Sequence, residues 1–203
     1  MAVERQFELT GGRLCLDFAN TVDNRPAPNR QDYLSAYSDL VAWSRQTRIL
    51  RDAEANQLRR EASRRPEEAE AALMQARTLR ETIYCIFSAV ASGSRPKAAE
   101  LDALNSTLPA FLANSRVVPS QRGFALQCTA GSSTLDRMLW AVSRSTFDLL
   151  LRGDLQRVRE CAAENCGWLF VDNTKNHRRR WCDTRTCGNR DKVRRFRQRW
   201  KKK

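Results

Sequence analysis

A chain of 203 residues with 41% hydrophobic content can hold one hydrophobic core plus a small satellite domain, and this content argues against wholesale disorder. No stretch approaches the roughly 18 uninterrupted apolar residues of a membrane span, and the first residues lack a secretion-signal pattern, so we expect a cytoplasmic protein without a membrane partner. The net charge of +13 is concentrated at one end, since residues 161–203 carry 14 Lys and Arg against 4 Asp and Glu, and this asymmetry favours a polyanion partner such as nucleic acid.

The first predicted element is a β-hairpin. Gly11 and Gly12 permit a tight reversal, and the residues from Leu14 to Ala19 alternate like a half-buried strand. A loop with two prolines follows. Four polar residues near this loop are candidates for a ligand pocket, although local turn and cap hydrogen bonds are the stronger alternative for them: Asp17, Asn20, Thr21 and Arg30.

Four helices are predicted next from the spacing of apolar residues. The first begins near residue 31 and breaks at 47–50, and the others span about 52–64, from Pro66 to about 91, and 97–113 with an end or kink at Pro109. The third is the predicted spine of the main domain. Its charged residues Arg77, Arg80 and Glu81 are placed on a solvated face.

Residues 116–129 predict a second hairpin, which could pair with the first in a small sheet. A last helix is predicted from Gly131–Thr134 to Gly153 with a core-facing apolar stripe. The isolated cysteines Cys15, Cys85 and Cys128 are interpreted as small buried hydrophobic residues. The fold class is therefore mainly α (α+β), with residues 1–153 as a helical domain that carries a small β-hairpin element.

Residues 154–203, called the metal module below, contain two cysteine pairs of equal spacing. Each pair lies at a predicted turn, and four soft ligands from two short loops suit a tetrahedral metal such as zinc: Cys161, Cys166, Cys182 and Cys187. Four thiolates leave no open position for catalysis, so the ion is expected to be structural. We predict a hairpin over residues 158–171, a cover of aromatic residues over the sulfurs, namely Trp168, Phe170 and Trp181, and unfolding of the module without metal.

A basic helix is predicted from Asn189 to Trp200, after the last cysteine. Its narrow apolar seam, formed by Val193, Phe196 and Trp200, should dock on the hairpin or on the main domain. The cations of this helix and of the run before Cys182 are candidates for nucleic-acid contact, with a merely solvated basic surface as the alternative: Arg178, Arg179, Arg180, Arg190, Lys192, Arg194, Arg195, Arg197 and Arg199. His177 is superfluous as a ligand and is expected at the surface or on phosphate.

These residues carry a family resemblance. The pattern Cys161-x4-Cys166 followed by Arg-Arg-Trp-Cys182-x4-Cys187-Gly-Asn-Arg resembles the CGNR zinc finger that ends a bacterial family described as stress-induced transcriptional regulators. The stretch from Leu14 to Val22 resembles the start of that family's N-terminal domain. The resemblance implies one zinc ion on the four cysteines and a regulator with DNA as its target. The hairpin and the helix predicted from the residues make the module a treble-clef or ribbon-like finger.

The leading hypothesis is a DNA-binding transcription regulator whose N-terminal domain senses a small-molecule effector or forms a homodimer, and which is associated with the nucleoid. The first alternative is an RNA-binding or ribosome-associated zinc protein. The second is an enzyme with a pocket in the N-terminal domain. The sequence shows no Ser/His/Asp or Cys/His arrangement, no phosphate-binding glycine loop and no convincing carboxylate pair, so we predict that the protein is not an enzyme.

Overall fold

The computed structural model describes residues 5–121 and 123–200, and the side chain of Arg199 lies outside this description. The first four residues of the chain therefore fall outside the described residues, as do the three lysines that end the predicted metal module. The helices are α1 (Leu14–Ala19), α2 (Tyr37–Gln46), α3 (Asp52–Arg64), α4 (Pro66–Ala91), α5 (Ala98–Asn105), α6 (Leu108–Ala113), α7 (Leu139–Arg152) and α8 (Asn189–Trp200). The predicted mainly α class is confirmed.

Three antiparallel strand pairs accompany the helices. They are β1 (Val22–Asp23) with β2 (Gln31–Asp32), β3 (Ser115–Ser120) with β4 (Gly123–Cys128), and β5 (Val158–Glu160) with β6 (Leu169–Val171). The hairpins predicted over 116–129 and 158–171 are therefore present, with Ser115 opposite Cys128 and Val158 opposite Val171. Among the described residues the β3–β4 hairpin joins no larger sheet, so its predicted pairing with an N-terminal hairpin is wrong.

The predicted N-terminal strand is instead helix α1. The backbone carbonyl of Arg13 accepts from the N–H groups of Leu16 and Asp17, and the carboxylate of Asp17 accepts from the N–H of Gly11 at 2.8 Å. The buried positions Cys15, Leu16, Phe18 and Ala19 follow helical spacing. A six-residue apolar stretch fits both the two-residue period of a strand and the 3.6-residue period of a helix. Here the side chains are buried on several sides of the segment, which favours the helix.

The later helices follow the predictions with displaced ends. Helix α2 begins at Tyr37, because residues 31–32 form β2, and α3 and α4 have the predicted bounds. The helix expected over 97–113 is divided into α5 and α6, with Pro109 in the first turn of α6, where no N–H bond is lost. The start predicted at Gly131–Thr134 is wrong, because residues 132–133 and 135–138 form turns and α7 begins at Leu139.

One hydrophobic core spans the N-terminal helices and the β5–β6 hairpin. Helix α4 lies at its centre and contacts α1, α2, α3, α5 and both strands of that hairpin. Val158, Leu169 and Val171 of the hairpin are at most 2% exposed and belong to the same buried cluster as Phe18 and Trp43. The hairpin of the metal module is therefore held by the N-terminal helices, independently of the cysteines.

Arg80 of α4 is buried, which corrects its placement on a solvated face. Its guanidinium is 4% exposed and donates to both carboxylate oxygens of Asp32 at 2.6 and 2.7 Å and to Glu81 at 3.0 Å. Burial raises the pKa of Asp32, but the hydrogen bonds and charge of Arg80 outweigh it, so that the pKa lies below its ordinary value. Arg25 pairs with Glu81 at 2.8 Å and lies over the ring of Tyr84. These pairs fix the loop after α1 to the central helix.

Candidate metal centre and basic helix

The four paired cysteines lie together in the metal module. Their sulfur atoms are all within 4.8 Å of one another and all four residues are buried: Cys161, Cys166, Cys182 and Cys187. The Sγ atoms of Cys166 and Cys182, and those of Cys182 and Cys187, are 3.6 Å apart. A tetrahedral zinc with bonds of about 2.3 Å to sulfur requires sulfurs about 3.8 Å apart. The donor set and its spacing therefore fit one zinc ion.

Backbone hydrogen bonds hold the two cysteine turns against each other. The N–H of Cys161 donates to the carbonyl of Trp168 across the base of the first turn, and the N–H of Ala162 donates to the carbonyl of Arg180 from the second. The N–H of Cys182 points at the sulfur of Cys161 at 3.4 Å. Such N–H groups stabilise thiolate charge, which makes the ligands better suited to a divalent ion.

Aromatic side chains cover the sulfurs as predicted. Trp168 and Phe170 are buried in one cluster with the four cysteines, and Trp181 and Tyr33 pack against that cluster. The cluster contains few other apolar side chains. Cohesion of the second cysteine turn therefore depends chiefly on the metal.

Arg179 is a residue of the metal centre rather than of an open surface. It is half-buried with its guanidinium 4.3 Å from the ring centre of Phe170, and it donates to the carbonyls of Trp181, at 2.9 Å, and Cys182. Its backbone N–H donates to the carboxylate of Asp172, which is 0% exposed and also accepts from Thr174. No local sequence signal distinguishes Arg179 from its neighbours Arg178 and Arg180, because the burial of its side chain depends on how the second cysteine turn folds.

Helix α8 starts directly from the metal centre. Residues Thr184–Gly188 form a wide helical turn that contains Cys187, and the carboxylate of Asp183 caps it by accepting from the N–H of Arg185. In the first turn of α8, Asp191 is 7% exposed and pairs with Arg194 at 2.8 Å and Arg195 at 2.7 Å. The hydrogen bonds from Arg194 lower the pKa of Asp191. Zinc ligation thus fixes the origin of α8, and Asp191 orients two of its guanidinium groups.

Most of the predicted nucleic-acid contacts are exposed, on α8 and on the run before Cys182. The exposed members are Arg178, Arg180, Arg190, Lys192, Arg194, Arg195 and Arg197. The side chain of Arg199 lies outside the described residues. Arg194 also pairs with Glu164 of the first cysteine turn, whereas Arg190, Lys192 and Arg197 have no ion-pair partner in the described part of the chain. His177 is exposed and is not part of the sulfur cluster.

The apolar seam of α8 does not dock, contrary to the prediction. Val193, Phe196 and Trp200 are 42%, 61% and 71% exposed. The rings of Phe196 and Trp200 are 5.9 Å apart and tilted by 44°. The β5–β6 hairpin is already covered by α1 and α4, so it has no free apolar face for this seam.

The proposed pocket residues have structural partners. Asp17 accepts from the N–H of Gly11 in the turn before α1, and Thr21, 2% exposed, donates to the carbonyl of Phe18. Asn20, also 2% exposed, bonds both the N–H and the carbonyl of Leu169 at 2.8 Å. Arg30 is exposed. The residues therefore support turns and the junction with β6, and they do not converge on one cavity.

The first cysteine turn is seated on the loop after α1. The indole N–H of Trp168 donates to the carbonyl of Val22 at 2.9 Å, and the N–H of Arg25 donates to the carbonyl of Cys166 at 3.3 Å. Gly167 has φ +73°, and a Cβ there would lie 3.1 Å from the Cβ of Arg25. A glycine is thus needed for both the backbone conformation and the close approach.

Asn20→Ala is expected to destabilise the protein by about 2–4 kcal/mol, because it leaves the buried N–H and carbonyl of Leu169 without partners. Urea denaturation followed by circular dichroism measures this effect. Asn29→Ala, at an exposed position of the same loop, should change stability by less than about 0.5 kcal/mol. Equal effects of the two substitutions would contradict a structural role for Asn20.

The isolated cysteines differ in burial. Cys15 is fully buried, and burial raises the pKa of its thiol to about 12. Cys85 is exposed and Cys128 is half-buried, so the prediction of buried hydrophobic residues is correct only for Cys15.

Family comparison agrees with both parts of the chain. The ABATE family model, described as "Putative stress-induced transcription regulator", matches residues 12–153, and the CGNR zinc finger model matches residues 157–200. A search among curated proteins found no match. Among the described residues no helix is long and apolar enough to cross a bilayer. The four cysteines are thus the ligand set of a CGNR zinc finger with one structural zinc ion.

Proposed function

The chain belongs to the ABATE family, and from that membership we propose that the protein is a zinc-dependent transcriptional regulator that binds DNA through its C-terminal finger. The family description, a stress-induced transcription regulator, supports a role in gene expression. Within this proposal residues 1–153 form the regulatory domain and residues 154–203 the zinc finger. RNA remains the alternative polyanion, and duplex DNA and structured RNA are compared below.

The observation that carries the proposal is the set of exposed cations on a helix that starts at a zinc ligand. Arg190, Lys192 and Arg197 have no ion-pair partner among the described residues, so their charge is available to phosphate. Guanidinium groups bind phosphate bidentately and can also read guanine in a major groove. A rigid origin at Cys187 reduces the entropy that α8 loses on binding.

The regulatory part of the proposal is supported by a cavity of about 310 Å³ between α4, α6 and α7. Its walls include the rings of Phe111 and Trp140 and the side chain of Ser143, which is 5% exposed. Such a site suits a small amphipathic effector. A homodimer would be the second means of control, and it would also raise the weak affinity of a single finger.

Replacing Arg190, Lys192 and Arg197 by Gln is expected to weaken duplex binding by roughly tenfold or more, because three phosphate contacts are lost. The slope of log affinity against log salt should fall by about 0.9 for each contact. Fluorescence anisotropy with a labelled duplex and with a structured RNA, at rising salt, measures both quantities. Preferential binding of the RNA would favour the alternative.

The matched control removes three exposed arginines from the N-terminal region, namely Arg60, Arg95 and Arg152. It changes the net charge equally and should leave the salt slope unchanged. Zinc content should remain one per chain in both variants, since none of the six residues is a ligand. Equal loss of affinity in the two variants would mean that only net charge matters and would contradict a specific role for α8.

A further inference from the structure

Helix α8 exposes aromatic side chains beside its cations. Phe196 and Trp200 are 61% and 71% exposed, and they lie one turn apart with their ring centres 5.9 Å from each other. Neighbouring aromatic side chains this exposed are uncommon on a helix that has no binding partner. Six Lys and Arg residues occupy the same helix against the single acid Asp191.

A groove runs along the same side of the helix. Trp181, Val193 and Phe196 line this groove together with Lys192 and Arg195. Trp200 lies just beyond the groove, one helical turn after Phe196. The groove has a volume of about 800 Å³ and is open to solvent, so a flat group can enter it from the side. Arg195 is held in place by its ion pair with Asp191 at 2.7 Å, so one cation of the groove is already oriented.

The charges of α8 decide which occupant fits. A second copy of the chain would bring two helices of strongly positive charge together, and like charges repel. A fully paired duplex offers phosphate but hides the faces of its bases in the stack. An unpaired strand offers both flat aromatic bases and phosphates, and aromatic residues flanked by cations are the usual means of holding it.

We propose that the groove beside α8 binds unpaired nucleobases, which stack on Phe196 and Trp200 while Lys192 and Arg195 contact the adjoining phosphates. The inference rests on the proposed DNA-binding function and specifies its substrate as a locally opened DNA duplex. Single-stranded RNA shares the same chemistry and is the alternative outcome of the test. The sources differ in their sugar and in their flanking duplex, and experiment can separate them.

The test uses the full-length, zinc-loaded protein and measures anisotropy with four labelled probes. These are a paired duplex, the same duplex with a central unpaired bubble, its single strand, and an RNA strand of the same sequence. We expect the bubble duplex to bind about tenfold or more tightly than the paired duplex. Preference for the RNA strand over the bubble would overturn the assignment to opened DNA and favour RNA as the occupant of the groove.

Two double variants separate stacking from packing. Phe196→Leu with Trp200→Leu keeps an apolar surface without aromatic rings, and it should abolish the preference for the bubble while leaving zinc content and binding to the paired duplex unchanged. Phe196→Trp with Trp200→Phe keeps the rings and should retain the preference. A bubble preference that survives in the leucine variant would overturn the proposal.

Other outcomes are equally decisive. Equal affinity of the parent protein for the paired and bubble duplexes would overturn this inference and leave the proposed DNA-binding function standing. Absence of binding to all four probes would defeat both. Vesicles containing phosphatidylglycerol provide the remaining comparison, because a basic amphipathic helix can also lie on an anionic membrane. Vesicle binding lost in the leucine variant, without a bubble preference, would assign the face to lipid.

Discussion

Removal of zinc is expected to unfold residues 176–200 while the β5–β6 hairpin stays folded. The second cysteine turn and α8 depend on the metal, whose binding contributes about 10–16 kcal/mol in isolated finger peptides. The hairpin instead belongs to the main core through Val158, Leu169 and Val171. Hydrogen exchange with and without a chelator should show lost protection in α8 and retained protection at the N–H groups of Leu169 and Val171, which donate to Asn20 and Gly11.

The sequence alone predicts that the whole metal module unfolds without zinc. The structure restricts this expected unfolding to the second cysteine turn and α8. Cys182→Ser should reproduce the effect of the chelator, because it removes one ligand. Cys85→Ser is the matched control at an exposed cysteine outside the cluster, and it should leave exchange unchanged. Unaltered protection of α8 in the chelated protein would refute the role of zinc, and lost protection in β6 would refute the independence of the hairpin.

Arg80→Met is expected to lower the free energy of unfolding by about 3 kcal/mol. The substitution removes a buried guanidinium and leaves Asp32 with a desolvated carboxylate, and breaking such a pair costs about 3–5 kcal/mol. We expect the lower end of this range of free energies because the side chain of Asp32 is 36% exposed, so water can partly hydrate its carboxylate. Urea denaturation at neutral pH measures the change, provided that the slope of the unfolding free energy against urea concentration is the same in both proteins.

The matched control is Arg64→Met, in which an arginine of α3 is exposed by 74% and pairs with Glu61. A surface pair of this kind contributes about 0–1 kcal/mol. A loss from Arg80→Met no larger than that from Arg64→Met would show that the pair with Asp32 does not stabilise the fold. Because the pKa of Asp32 is lowered in the folded protein, its contribution is present at neutral pH and is lost as the pH falls through that lowered value.

Local signals in the sequence were enough for several elements. Glu54 accepts from the N–H of Arg51 at the start of α3, and Pro66 occupies the first turn of α4, so both helices carry their own start signals. The metal centre was predictable for a similar reason, because four cysteines at short equal spacings restrict the possible geometry to a few arrangements.

Long-range packing accounts for the failures. Helix α1 is six residues long, and so short an apolar stretch does not distinguish the period of a helix from that of a strand. Its packing against the neighbouring helices decides between them. Arg80 was placed in solvent because its partner Asp32 lies 48 residues away in the chain. The seam of α8 was expected to dock because amphipathic spacing identifies an apolar face but not the surface that covers it.

The most direct test of a zinc-dependent regulator is genome-wide crosslinking of the protein to DNA in its own cells. The parent protein is compared with a variant carrying Cys182→Ala and Cys187→Ala, which removes two zinc ligands, and with the Cys85→Ser control. We expect enrichment at discrete sites for the parent and the control, and loss of that enrichment in the double variant. Absence of site-specific enrichment in the parent, or its persistence without the two ligands, would contradict the proposed function.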